Sequence, residues 1–166
     1  WGRVLGDEGS GYYLGRLGLT AVVRHIDGRG EKTKLTTMIA KEFGLTDQTA
    51  IINAVYKNSF DVASVAPLVI KAAEKNDAVC RAIIENAVVE LAWHIQVAAE
   101  KLSKSSAKKV KDKIHVSFIG GLIAHDTIVA RFLAQYLHSN FPFIDIIQPM
   151  ASPAYGAAVM NVSKLK

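Results

Sequence analysis

The chain has 166 residues, half of them apolar and 21% charged, which suits one domain with a sizeable core and excludes intrinsic disorder. Its 20 basic and 15 acidic residues leave a net charge of +5, and no apolar run approaches the roughly 20 residues of a membrane helix. A single cysteine, Cys80, excludes an internal disulfide and a cysteine-built metal site, so a reducing compartment is expected, with cytoplasm the default and neither membrane nor nucleic acid as a partner.

In chain order, Trp1-Gly2-Arg3-Val4 lacks the basic and apolar regions of a signal peptide, and an opening tryptophan is expected of a chain that lacks what naturally precedes it. Gly6-Asp7-Glu8-Gly9-Ser10-Gly11 reads as a tight turn. Behind it, Leu14, Leu17, Ala21, Val22 and His25 recur at helical spacing, predicting a helix that starts near Ser10, its N-cap, and ends at Asp27-Gly28-Arg29-Gly30. Two shorter helices are predicted over 31–43, stopped by Gly44, and 47–56, capped by Thr46 or Asp47.

A helical pattern returns over 60–75, with Pro67 either kinking it or lying in its first turn if the helix starts at Ser64. The longest helix is predicted over 77–103, where Ile83, Ala87, Leu91, Ile95 and Leu102 belong to one apolar stripe. His94, next to Trp93 within it, suits a core or interface position. Lysines then crowd residues 104–113, but without interleaved aromatics, and Ser103, Ser105 and Ser106 mark a solvated connector rather than a nucleic-acid patch.

Ile114, Val116 and Phe118 alternate with polar residues, reach Gly120-Gly121, and give way to a helix carrying Ile128, Phe132, Leu133 and Leu137. A second strand over 143–147 and a final helix over 152–160 complete the chain. Strand, crossover helix and strand imply parallel pairing and α/β architecture. Both strands are short and apolar, as strands covered on both faces are, so further strands are expected from outside this chain.

Two features are candidates for chemistry. The glycines beside Asp7 and Glu8 allow close backbone approach next to a helix start, so an anion or a sugar hydroxyl fits there, although a merely capped, solvated loop has the same pattern. Gly120-Gly121 lies between strand and helix, where open α/β folds place ligands, but a tight turn has the same spelling and no Walker lysine follows. His25, His94, His115, His125 and His138 show no metal-ligand spacing, and no metal site is assigned.

The string Trp1-Gly2-Arg3-Val4-Leu5-Gly6-Asp7-Glu8-Gly9-Ser10-Gly11-Tyr12 closely resembles the Trp-Gly…Gly-Asp-Glu-Gly-Ser segment of N-acetylglucosamine kinases and the BadF/BadG/BcrA/BcrD ATPases, and Pro153-Ala154-Tyr155-Gly156-Ala157-Ala158 resembles their terminal segment. The resemblance implies the helix-rich C-terminal lobe of an actin-like, ribonuclease-H-like fold that lacks the first strands of its sheet. It implies ATP-dependent, Mg2+-assisted phosphorylation of an amino sugar by the intact parent, with N-acetylglucosamine the first choice. Trp1, Gly2 and Asp7 would contact sugar; Ala63, Ser64, Gly120, Gly121 and His125 would border the nucleotide. The phosphate loops and catalytic aspartate would lie in a missing N-terminal lobe upstream of Trp1, leaving this chain inactive alone, and a homodimer is compatible with the family. A BadF-type ATPase driving a partner enzyme and a noncatalytic sugar-sensing module are the alternative readings.

Overall fold

The computed structural model describes residues 1–105, 113–124 and 126–163, and its organisation follows from where helices can be capped and where small residues let them touch. After a single turn, α1 (Gly2–Leu5), helix α2 (Gly11–Ile26) starts at the predicted N-cap, where Ser10 Oγ accepts from Tyr13 N at 3.0 Å. α3 (Leu35–Phe43) ends at Gly44, which takes a left-handed conformation (φ 69°), and α4 (Gln48–Lys57) is capped by Asp47. A 3-10 turn (Val62–Val65) leads into α5 (Ala66–Glu74), placing Pro67 in the first turn, where its missing N–H costs nothing.

α6 (Ala78–Ser105) is the longest helix among the described residues, and its Ile84, Ala87 and Ala92 are fully buried. β1 (Ile114–Val116), α7 (Ile128–Asn140) and β2 (Ile144–Ile146) form the expected strand, helix and parallel strand, with Ile114 opposite Ile144 and Val116 opposite Ile146. α8 (Pro153–Ser163) follows. The protein is therefore α/β, helix-rich, with a small parallel sheet. Cohesion lies in the helices: Leu14, Leu35, Ile39, Leu133 and Leu137 are almost fully buried, each worth roughly 2–3 kcal/mol of transfer free energy.

Several expectations change. α3 begins at Leu35 rather than residue 31, because the amide of Lys34 and the hydroxyl of Thr33 are spent on Asp77, at the start of α6. The strands are shorter than predicted and not covered on both faces within this chain: His115 and Ile146 are exposed. His94 is exposed too, so it is not a core residue, and Leu102 of the predicted stripe is 59% exposed. Lys108, Lys109 and Lys111 lie outside the described residues, as does His125. Among the described residues no helix is long and apolar enough to cross a membrane.

Candidate functional site

The acidic glycine loop is built by close approach. Gly9 has φ +81°, and a Cβ there would lie 2.4 Å from Leu91 Cγ, so only glycine lets the loop settle on α6. At its other end Gly6 N donates to Gly2 O at 3.0 Å, folding residues 1–6 back beside the loop. Between these anchors Asp7 is half-buried, its Oδ2 accepting from Ser10 Oγ at 2.7 Å. That hydroxyl also caps α2, so one serine both starts the helix and orients the carboxylate.

Asp7 opens on a cavity of about 350 Å3 lined by Arg3, Val4, Gly6, Asp7, Glu8, Tyr12, Tyr13 and Arg16. Its size suits a small ligand. Arg3 stacks over the Tyr12 ring at 5.4 Å and Arg16 over the Tyr13 ring at 5.7 Å. Burial, and then the charge of Glu90, push the Tyr13 hydroxyl above its usual pKa, with Arg16 working against them. Trp1 is fully exposed and, like Gly2, does not line the cavity; its Cβ lies 3.2 Å from where a Gly6 side chain would begin.

Ala63 and Ser64 lie in the 3-10 turn, fixed by Asp61: Ala63 N donates to Asp61 Oδ1 at 3.1 Å and Ser64 Oγ to Asp61 O at 2.6 Å. The turn packs on the glycine face of α2, where a Cβ on Gly11 would stand 3.9 Å from those of Ala63 and Ala66. The fold thus brings Ala63 directly against the end of the Asp7 loop.

Gly120 and Gly121 sit at an exposed corner after β1, Gly120 at φ +101°, with nothing within 4 Å of either notional Cβ. Beside this corner a second cavity, of about 320 Å3, lies at the C-terminal ends of both strands, with Phe118, Asp126, Arg131 and Gln148 in its wall. Thr127 caps α7 there, accepting from Ala130 N at 3.1 Å, and Arg131 pairs with Asp126 at 3.0 Å. The two cavities share no lining residue.

Sequence reasoning missed Tyr12, Tyr13 and Arg16, although their three- and four-residue spacings in the first two turns of α2 announce neighbours on one helix face. It also missed Asp126, Arg131 and Gln148, which flank the strand ends where ligands of open sheets gather.

The model of the BadF/BadG/BcrA/BcrD ATPase family matches residues 1–161. An N-acetylmuramic acid/N-acetylglucosamine kinase of Clostridium acetobutylicum is 31% identical over 99% of this chain and 53% of the relative. An N-acetyl-D-glucosamine kinase of Dictyostelium discoideum is 28% identical over the whole of this chain and 52% of the relative. A crystal structure from Chromobacterium violaceum, provisionally named an N-acetylglucosamine kinase, superposes with a TM-score of 0.68 at 27% identity, over 96% of this chain and 50% of that one. The chain therefore spans about half the length of these relatives.

Proposed function

Because the chain belongs to the BadF/BadG/BcrA/BcrD ATPase family, we propose that it is the C-terminal lobe of an actin-like, ribonuclease-H-like kinase whose parent phosphorylates an amino sugar with ATP. N-acetylglucosamine is the reference substrate. The observation that carries this reading is Asp7, a half-buried carboxylate held by Ser10 in a cavity of sugar-accommodating size, in a chain whose relatives are named as kinases of N-acetylated sugars. A carboxylate only accepts, so it selects a ligand rich in hydroxyl donors.

Trp1 and Gly2 do not line that cavity; they directly precede its Arg3 in sequence and are proposed as sugar contacts on family grounds alone. Ala63, Ser64, Gly120 and Gly121 offer small, accessible positions for adenosine, and His125 is proposed beside them on family grounds alone. Mg2+ is expected to travel with the ATP phosphates; among the described residues no three carboxylate, imidazole or thiol groups converge on a metal position, so no step is assigned to it here. Phosphoryl transfer depends on positioning and charge stabilisation, and the groups that would deprotonate the sugar and hold the phosphates are proposed to lie in the other lobe. A cytoplasmic location fits such a kinase. The partner-driving ATPase reading gains no support from Cys80: it is fully buried and offers no cluster ligand.

The test is ATP-dependent phosphorylation by the full-length protein across hexoses and N-acetylhexosamines. N-acetylhexosamines should be preferred, and Asp7→Asn should raise the sugar KM by roughly tenfold or more, the loss of a charge-assisted hydrogen bond. Preference for a plain hexose would overturn the amino-sugar assignment, and partner-stimulated hydrolysis without sugar turnover would establish the ATPase alternative.

A further inference from the structure

α6 turns one row of its side chains outward. Trp93 is 55% and Val97 49% exposed, Val89 is half-buried, and Glu85 and Lys101 are exposed. These residues recur at every fourth position, so they form one ridge of the helix, about 24 Å long at a rise of about 1.5 Å per residue. From Trp93 in either direction the row meets a valine four residues away and a charge eight residues away, acidic toward the N-terminus and basic toward the C-terminus. Among the described residues neither Glu85 nor Lys101 forms an ion pair. Beside the Glu85 end, α6 and α7 enclose a groove of about 410 Å3 lined in part by Val88, Val89, Phe132 and Tyr136.

Such a row is complementary to itself reversed. A second copy of α6 laid antiparallel across Trp93 sets Val89 against Val97 and Glu85 against Lys101 at both ends, and brings the second copy's Val97 end over the groove. A parallel copy would oppose like charges at each end, and a uniformly charged partner would be attracted at one end and repelled at the other. Ridges of this spacing cross at about 50°, which puts the central residues in contact and leaves the long side chains at the ends to bridge the widening gap. An exposed indole flanked by apolar side chains suits the centre of an interface. We propose that α6 is the two-fold contact of a homodimer, packed antiparallel about Trp93. The proposal is independent of what fills the Asp7 cavity, because no residue of the row lines it. The contact is narrow beside standard interfaces of about 800 Å2 per partner, so a roughly micromolar association is expected rather than an obligate dimer.

Analytical ultracentrifugation of the full-length protein from about 1 to about 100 μM tests this. A monomer–dimer equilibrium should be found, and Trp93→Glu should weaken it roughly a hundredfold or more, since two like charges would then meet on the axis. Glu85→Lys and Lys101→Glu should each weaken it roughly tenfold or more, because each reversal sets like charges together at both ends. Mixed with each other, those two variants should associate within about threefold of the native affinity, since opposite charges meet again at both ends, and the double variant E85K/K101E should do the same. The substituted side chains are exposed, so melting temperatures of the diluted monomers should match that of the native protein. A monomer at every concentration overturns the proposal, and one destabilised by Trp93→Glu gives this face to another part of the same chain. A dimer indifferent to Trp93→Glu is built elsewhere and overturns it equally. A Trp93-dependent dimer that the paired charge reversals fail to restore overturns the antiparallel register.

Discussion

Asp77 is only 5% exposed, a placement that is costly for a carboxylate unless hydrogen bonds replace the lost water. They do: Lys34 N donates at 2.7 Å, Cys80 N at 2.9 Å, and Thr33 Oγ1 at 3.1 Å, tying the start of α3 to the start of α6. Burial pushes the carboxyl pKa up, but the bonds from Cys80, Lys34 and Thr33 outweigh it and hold the group below its ordinary value. A depressed folded pKa means that this contribution is complete above the unfolded value of about 4 and is lost as pH falls through the folded value. Asp77→Asn turns one acceptor oxygen into a donor facing backbone N–H groups, so urea unfolding at neutral pH should show a loss of about 2 kcal/mol, and the gap to the native protein should narrow in acid. Next to it, burial and then the charge of Asp77 push the Cys80 thiol up to about 12, so a thiol reagent should label Cys80 only after denaturation. Local sequence reasoning finds Asp77 as a helix start but not as a clamp, because Thr33 and Lys34 are more than 40 residues away and the segment holding them reads as helix. Ser10 is the opposite case: its cap is written within three residues of itself and is legible, and the orientation of Asp7 comes with it.

At the scale of elements, α2 meets the 3-10 turn and α5 through a stripe of Gly11, Gly15 and Gly18, spaced by four and three residues so that they share one face. A Cβ on Gly15 would stand 1.9 Å from the carbonyl oxygen of Val62, and one on Gly18 would stand 2.6 Å from Val69 Cγ2. Backbone cannot yield as a side-chain tip can, so Gly15→Ala should destabilise by about 2–3 kcal/mol in chemical denaturation. Gly11→Ala meets only ordinary contact, 3.9 Å from Ala63 and Ala66, and should be neutral or stabilising by roughly 0.5 kcal/mol. A sequence reading that follows Leu14, Leu17, Ala21 and Val22 predicts α2 correctly but treats glycine as punctuation, and so misses that these glycines bring Ala63 against the end of the Asp7 loop. Pro67 shows the same limit. Its first-turn placement is legible, whereas the 3-10 turn ahead of it is set by the side chain of Asp61 and by packing on α2.

For the whole molecule, the exposed apolar surface is informative because the chain spans only about half of its relatives. Val4 is 93% and Leu5 77% exposed, Met150 99%, Tyr155 63% and Val159 49%, and Ile146 at the open sheet is 39% exposed. These are residues of α1, of the segment after β2, and of α8, the stretches flanking the two cavities in sequence. Two strands of three residues do not form an independently stable sheet, so β1 and β2 depend on α7 behind them and have open edges to offer further strands. The parallel pairing and the crossover were legible from alternation and order; what would cover the exposed His115 and Ile146 and the exposed side chains of α8 was not, because among the described residues none does so. If the active cleft forms between this lobe and another, each cavity here is one wall of a site. Isothermal calorimetry on the 166-residue chain should then show nucleotide and sugar binding at least a hundredfold weaker than on the full-length protein, since a ligand with one wall loses about half its contacts and their entropic preparation. Equal affinities in the two would place the complete binding sites within residues 1–166 and remove the need for a second lobe in ligand binding.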